Sequence, residues 1–217
     1  MRFRKTKAVM KNIAVLATGR GTNFKSLCRA GLQKQFPGKI ALLVAGRENI
    51  GALDVAEEFN IPRYVLDPKH FPSKEQYNTE LEALLSRFDI HWIALAGWLR
   101  KIAAELIEKY PNRIVNIHPA LLPFFGGRGM YGMHVHRAVW ESGMLVSGAT
   151  VHFVDEQYDH GAIIMQQCVA LSPEDKADDI ARKVLRAEHE LFPKALKRVL
   201  STPYTVKNNR VCFKPGA

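Results

Sequence analysis

The chain has 217 residues, 47% of them hydrophobic, 24% charged and 9% aromatic, with a formal net charge of +10. This is globular usage, which excludes a disordered polyelectrolyte, and no apolar run approaches the roughly 18 residues of a membrane-spanning helix. Eight of the 31 basic residues lie in the acid-free segments 1–11 and 201–217, so the body is near neutral and does not offer the basic face of a specific nucleic-acid binder.

Three cysteines, Cys28, Cys168 and Cys212, lie far apart with no CxxC spacing, so neither a disulfide framework nor a zinc site is indicated. A reducing, cytoplasmic setting is expected. Residues 12–200 read as one domain between a basic N-terminal extension, 1–11, and a basic C-terminal tail, 201–217, expected to be loosely held.

In chain order, Asn12–Thr18 is a continuous apolar run closed by glycine, the pattern of a strand buried on both faces. A helix follows over Asn23–Leu32, then a buried strand over Lys39–Ala45. Gly51–Phe59 has helical spacing and Arg63–Leu66 is a short strand. Ser73, followed by Gln76, marks a capped helix over Ser73–Phe88. Trp92–Ala96 and Arg113–Ile117 are further buried strands. Strands separated by helices imply right-handed parallel βαβ units.

After His118 the alternation stops. Pro119–Gly132 is a loop rich in proline and glycine, and His134–Ser142 is helical. Ser147–Val154 and Gly161–Leu171 read as antiparallel strands joined by Asp155–His160. Lys176–Leu200 is a long amphipathic helix. The fold class expected is α/β: a mostly parallel twisted sheet, helices on both faces, antiparallel strands in the C-terminal part.

Ligands of such sheets sit beyond the carboxyl ends of the strands, and three of those ends carry unusual chemistry. The first is Gly19-Arg20-Gly21-Thr22-Asn23, where glycines admit close backbone approach and a helix N-terminus offers N–H groups to an anion. The dinucleotide fingerprint is excluded, because its third glycine position is Phe24. The plainer alternative is a glycine turn with Thr22 as helix cap. The second end is Gly97-Trp98-Leu99-Arg100. The third is Asn116-Ile117-His118-Pro119, whose amide and imidazole lie two apart on one face of a strand. His118 suits proton transfer and Asn116 suits donation to an oxyanion. Asp155 and Asp159 are both candidate partners for the imidazole, and spacing does not choose between them.

Other chemistries fit less well. His134, His136, His152 and His160 cluster in sequence, but His134 and His136 are two apart on a helix and diverge, and no HExxH pattern occurs. No GxSxG elbow supports a serine hydrolase. A polyanion-binding module using the basic ends is the non-enzymatic alternative, and the near-neutral body counts against it.

Taken together, Gly-x-Gly-Thr-Asn, Ala96-Gly97-Trp98-Leu99-Arg100, Asn116-Ile117-His118-Pro119-Ala120-Leu121-Leu122-Pro123, Gly148-x-Thr150-Val151-His152-Phe153-Val154, Asp159-x-Gly161 and Glu188-His189-x-x-Phe192-Pro193 occur in that order. They resemble the phosphoribosylglycinamide formyltransferase family, folate-dependent enzymes of purine synthesis, over about residues 12–200. Methionyl-tRNA formyltransferases share the Asn-x-His-Pro core but have a different first loop and an added C-terminal domain. Formyltetrahydrofolate deformylases carry an added N-terminal domain, and neither addition is expected in a chain of 217 residues.

The resemblance implies a Rossmann-like sheet and formyl transfer from 10-formyltetrahydrofolate to the amine of glycinamide ribonucleotide, with no metal. Asn116, His118 and Asp159 would be catalytic, with Asp159 favouring the protonated form of His118. Gly19, Arg20, Gly21, Thr22 and Asn23 would bind the substrate phosphate and Glu188 the ribose hydroxyls. Leu99, Arg100, Ile102, Val154, Asp155 and Asp159 would line the folate site. Leu122–Pro123 is expected to be cis. No membrane or specific nucleic-acid partner is implied, and the state would be monomer or homodimer. Another amine, on a sugar nucleotide or tRNA, is the alternative acceptor. Two features depart from the family: the glycine-rich loop Phe124–Met133 is longer than usual, and the basic ends lie beyond the core.

Overall fold

The computed structural model describes residues 10–214. In chain order it forms β1 (Lys11–Ala17), α1 (Thr22–Leu32), β2 (Gly38–Ala45), α2 (Gly51–Glu58), β3 (Arg63–Val65), α3 (Lys74–Arg87), β4 (Trp92–Leu95), α4 (Ala104–Lys109) and β5 (Ile114–His118). Then come α5 (Met133–Glu141), β6 (Val146–Phe153), β7 (Ile163–Ala170), α6 (Ala177–Ser201), β8 (Tyr204–Lys207) and β9 (Arg210–Phe213). One nine-stranded sheet runs in the order β3-β2-β1-β4-β5-β6-β7-β9-β8. The first five neighbours are parallel, and β6 turns antiparallel against β5 and β7.

The apolar runs sort as strand geometry requires. Successive side chains of a strand point to opposite faces, and in β1 Ile13, Val15 and Ala17 join one core while Ala14 and Leu16 join the other. The first core is closed by α1, α2 and α6 through Phe24, Leu27, Ala52, Val184, Leu191, Phe192 and Leu196. The second is closed by α3 and α4 through Leu81, Leu84, Leu85 and Leu106. Strands covered on both faces have no need of polar alternation, which is why β1 and β2 read as unbroken apolar segments.

Several expectations meet their structural counterparts. Ser73 Oγ accepts from the Gln76 N–H at 3.2 Å and caps α3, and Leu122–Pro123 is cis. Others are corrected. Thr22 is the first residue of α1 and not its cap; Gly21, at φ 76°, precedes it. The six-residue α4 is too short to show a periodicity. Within the segment expected to be a loosely held tail, residues 204–213 form the β8–β9 hairpin and extend the sheet. Its apolar residues Tyr204, Val206, Val211 and Phe213 pack against the first core. Residues 1–9 of the basic N-terminal extension lie outside the described part.

This topology positions a site. Strand order reverses between β1 and β4, and crevices form outside the carboxyl ends at such a reversal. The ends of β1, β4 and β5 are parallel neighbours, so their three unusual terminal segments emerge along one edge.

Candidate active site

Asn116 and His118 stand on β5, and the antiparallel register of β6 sets His152 opposite Asn116 and Thr150 opposite His118. Directly opposed residues share a face. Asn116 Nδ2 therefore reaches His152 Nε2 at 3.0 Å, and it also donates to Asp159 Oδ1 at 3.4 Å. His152 Nδ1 lies 2.7 Å from the Phe153 carbonyl, and its Nε2 faces both Asn116 and, at 3.7 Å, Asp159 Oδ1.

His118 is 3% exposed. Its Nδ1 lies 3.4 Å from Asp159 Oδ2, and its Nε2–H donates to the Phe125 carbonyl at 2.8 Å. The Gly127 N–H donates to Asp159 Oδ2 at 2.9 Å. Asp159 is thus the centre of the cluster, with Asn116 and His152 at one oxygen and His118 and Gly127 at the other. Asp155 is elsewhere: its oxygens take the Gln157 N–H and the His160 ring. Of the two aspartates that spacing left open, Asp159 is the one against His118.

Burial tends to raise the Asp159 pKa, but the His152 hydrogen bond, the His118 charge and the Gly127 N–H hold it below the ordinary carboxylate value. For His118 the pull of Asp159 is in the expected direction, but burial outweighs it. Burial is the largest influence and pushes its pKa below 6.5, against the opposing pull of Asp159 and the Phe125 carbonyl. Both ring nitrogens nevertheless face oxygen acceptors, a setting that imidazolium satisfies fully, so a proton placed on Nδ1 stays on the ring and is stabilised by the Asp159 carboxylate. His136 of α5 is buried, and burial with the nearby His118 charge pushes it down to about 4. His134 is exposed, so the two histidines of α5 do diverge.

The loop after β1 builds a second element of the site. Gly21 has a positive φ, and a Cβ there would sit 2.6 Å from the Ala52 Cα, so the position requires glycine. Gly19 faces open space. Asn23 Nδ2 donates to Glu188 Oε1 at 3.2 Å across 165 residues of sequence. Burial raises the Glu188 pKa to about 7, against the Asn23 hydrogen bond. Asn23 Oδ1 is buried and has no partner among the described residues. The polar groups predicted for phosphate and ribose thus meet in one place.

A cavity of about 610 Å³ lies between α3 and the segment after β4. Leu99, Arg100 and Ile102 line it; Val154, Asp155 and Asp159 do not, and the 155–160 loop reaches it through Glu156 and Tyr158 instead. Arg100 Nη2 donates to the Gly46 carbonyl at 3.0 Å and meets Asp67 at 3.5 Å.

Sequence reasoning missed the roles of His152, Phe125 and Gly127. For His152 a signal existed: with β5 and β6 antiparallel, pairing His118 with Thr150 puts it opposite Asn116. The loop contacts left no such trace.

The profile of the formyl transferase family matches residues 11–196. A chloroplastic phosphoribosylglycinamide formyltransferase of Arabidopsis thaliana is 40% identical over 183 residues, covering 84% of this chain and 63% of that protein. The chain therefore spans less than two thirds of this plant relative. The phosphoribosylglycinamide formyltransferase of Bacillus subtilis is 33% identical over 191 residues, covering 88% of this chain and 95% of that one. The crystal structure of glycinamide ribonucleotide transformylase 1 from Symbiobacterium toebii superposes with a TM-score of 0.90 at 30% identity, over 98% of each chain.

Proposed function

The chain belongs to the formyl transferase family, and on that premise we propose that it transfers the formyl group of 10-formyltetrahydrofolate to the amino group of glycinamide ribonucleotide. The observation that carries the reading is the convergence of Asn116, His118 and Asp159 at the end of β5, on the same sheet edge as the Gly19–Asn23 loop and the segment lining the cavity.

In this reading the Gly19–Asn23 backbone and the N-terminus of α1 receive the phosphate, and Glu188, steadied by Asn23, receives ribose hydroxyls. Leu99, Arg100 and Ile102 line the wall that holds the folate. The amine attacks the formyl carbon, and the carbonyl oxygen gains negative charge. Asn116 Nδ2–H and His118 Nε2–H are the donors at that oxygen; the Asn116 amide is turned to His152 and Asp159 in the ligand-free state, so one of those contacts has to be released. The His118 N–H is held by the Phe125 carbonyl in the ligand-free state, so the Phe125 oxygen has to yield to the oxyanion. The proton lost by the amine reaches the departing folate nitrogen with His118 assisting, and Asp159 stabilises the imidazolium formed on the way. The chemistry needs no metal.

The test is purified protein supplied with 10-formyltetrahydrofolate and, in separate reactions, glycinamide ribonucleotide, an amino-sugar nucleotide and methionyl-tRNA. Formylation of glycinamide ribonucleotide alone is expected. Preference for either other amine would overturn the substrate assignment.

A further inference from the structure

The β8–β9 hairpin lies beyond the matched family segment, and it meets the loop carrying Asp159 and the strand ends on either side of it at three points. Tyr204 stacks on Phe153, the last residue of β6, with ring centroids 5.4 Å apart and planes at 27°. Arg210 pairs with Ile163, the first residue of β7. Between these two stems, Asn209 Nδ2 donates to the His160 carbonyl at 2.9 Å, one residue beyond Asp159. The hairpin is itself anchored away from the loop. The Arg198 guanidinium of α6 lies 4.2 Å over the Phe213 ring, and the Tyr204 hydroxyl donates to the Asn112 carbonyl at 2.9 Å. Asn208 and Asn209 both have positive φ, 49° and 56°, as a tight hairpin turn requires.

The loop needs such a support. Asp159 has φ 54°, a left-handed conformation that aspartate adopts more readily than most side chains but that is still less favoured than the right-handed one, so contacts around the turn help to hold it. Gly161 follows with its Cα so close to the Phe153 carbonyl that only glycine fits. The hydrogen bonds of Asp155 to Gln157 and His160 lie within the loop. They shape it but cannot fix where it sits relative to β5.

We propose that the hairpin is a positioning element for the reaction, and that Asn209, through the His160 carbonyl, holds the left-handed turn that aims the Asp159 carboxylate at His118. This rests on the reading of Asp159 and His118 as the catalytic pair. Asn209 touches no reacting group and acts through the loop alone.

Asn209→Gly keeps the left-handed turn and deletes the donor; Asn209→Asp keeps shape and turn preference but turns an oxygen toward the carbonyl. Thr205→Ala, on the hairpin but away from the loop, is the control. Two readouts separate the possibilities. The first is the NMR titration of His118 in ligand-free protein, where Asp159, His152, His136 and the Phe125 carbonyl are the groups acting on or facing the ring. The second is kcat and KM for formyl transfer. Both Asn209 variants should lower the His118 midpoint by about half a pH unit, because the carboxylate's pull is weakened. They should cut kcat about three- to tenfold with KM for the amine acceptor nearly unchanged, while Thr205→Ala moves neither. Loss of thermal stability with an unmoved His118 titration would make Asn209 merely structural and overturn the proposal, as would a kcat loss without that movement. If wild-type protein fails to transfer formyl groups at all, the function falls, and the His118 titration alone still decides whether Asn209 aims Asp159.

Discussion

Asp159→Asn is the substitution on which the proposed chemistry turns. It preserves shape and removes one negative charge 3.4 Å from His118 Nδ1. At an effective dielectric of about 20 the bare attraction of such an ion pair is about 5 kcal/mol. Most of it is offset, because the buried carboxylate is desolvated and is already engaged by Asn116, His152 and Gly127. A hydrogen bond involving a charged group nets about 1.5–3 kcal/mol, which corresponds to about one to two pKa units. His118, already below 6.5 through burial, should fall further by that amount in the variant. The imidazolium is then harder to form during transfer, and kcat should drop about 100-fold, the scale of a positioned electrostatic or acid–base group. The assay is kcat against pH, paired with NMR titration of His118 in the free protein. His118→Ala should be comparably severe, and the double variant little worse than the worse single one, since groups acting as a unit are not additive. Fully multiplicative losses, or a His118 titration that rises in Asp159→Asn, would refute the reasoning. Asp155→Asn, which removes a charge from the His160 pair, should be far milder.

Two glycines of the first loop separate ligand approach from folding. Gly19→Ala adds a methyl group in open space, so it should keep the melting temperature while weakening glycinamide ribonucleotide binding about tenfold or more by calorimetry; unchanged affinity would remove the phosphate from that loop. Gly21→Ala meets Ala52 at a positive φ and should lower the melting temperature as well. The pH dependence of stability should show two opposed contributions. Glu188, raised to about 7, favours its protonated form in the fold, so its contribution is complete below pH 4.5 and is lost as pH rises toward 7. His136, lowered to about 4, favours its neutral form, so its contribution is present above pH 6.5 and is lost as pH falls toward 4. Glu188→Gln should therefore leave a stability that climbs more steeply between pH 4 and 6.5 than in wild type; denaturant midpoints that are flat across that window in the variant would contradict the assignment.

Much of this protein is written locally in its chain. The unbroken apolar runs of β1, β2 and β4, separated by helices, dictate a parallel sheet covered on both faces, because only such strands can dispense with polar alternation. The strands β1, β4 and β5 end in Gly19–Asn23, Trp98–Arg100 and Asn116–His118, which parallel topology delivers to one edge. What the tertiary structure decided depends on pairings across long separations. Asp155 and Asp159 are equivalent by spacing, and a left-handed turn at Asp159 selects between them. His152 joins the cluster through the β5–β6 register, and Asn23 meets Glu188 only after α6 packs on α1. The β8–β9 hairpin looked like a polar tail, since its four-residue strands carry alternation too short to stand out. It becomes ordered only by completing a sheet edge and packing aromatic side chains on a core assembled from the rest of the chain. Local periodicity reports which face of an element is buried. The partner it meets there is set by the packing of distant segments, and in this protein the acid–base geometry belongs to that second class.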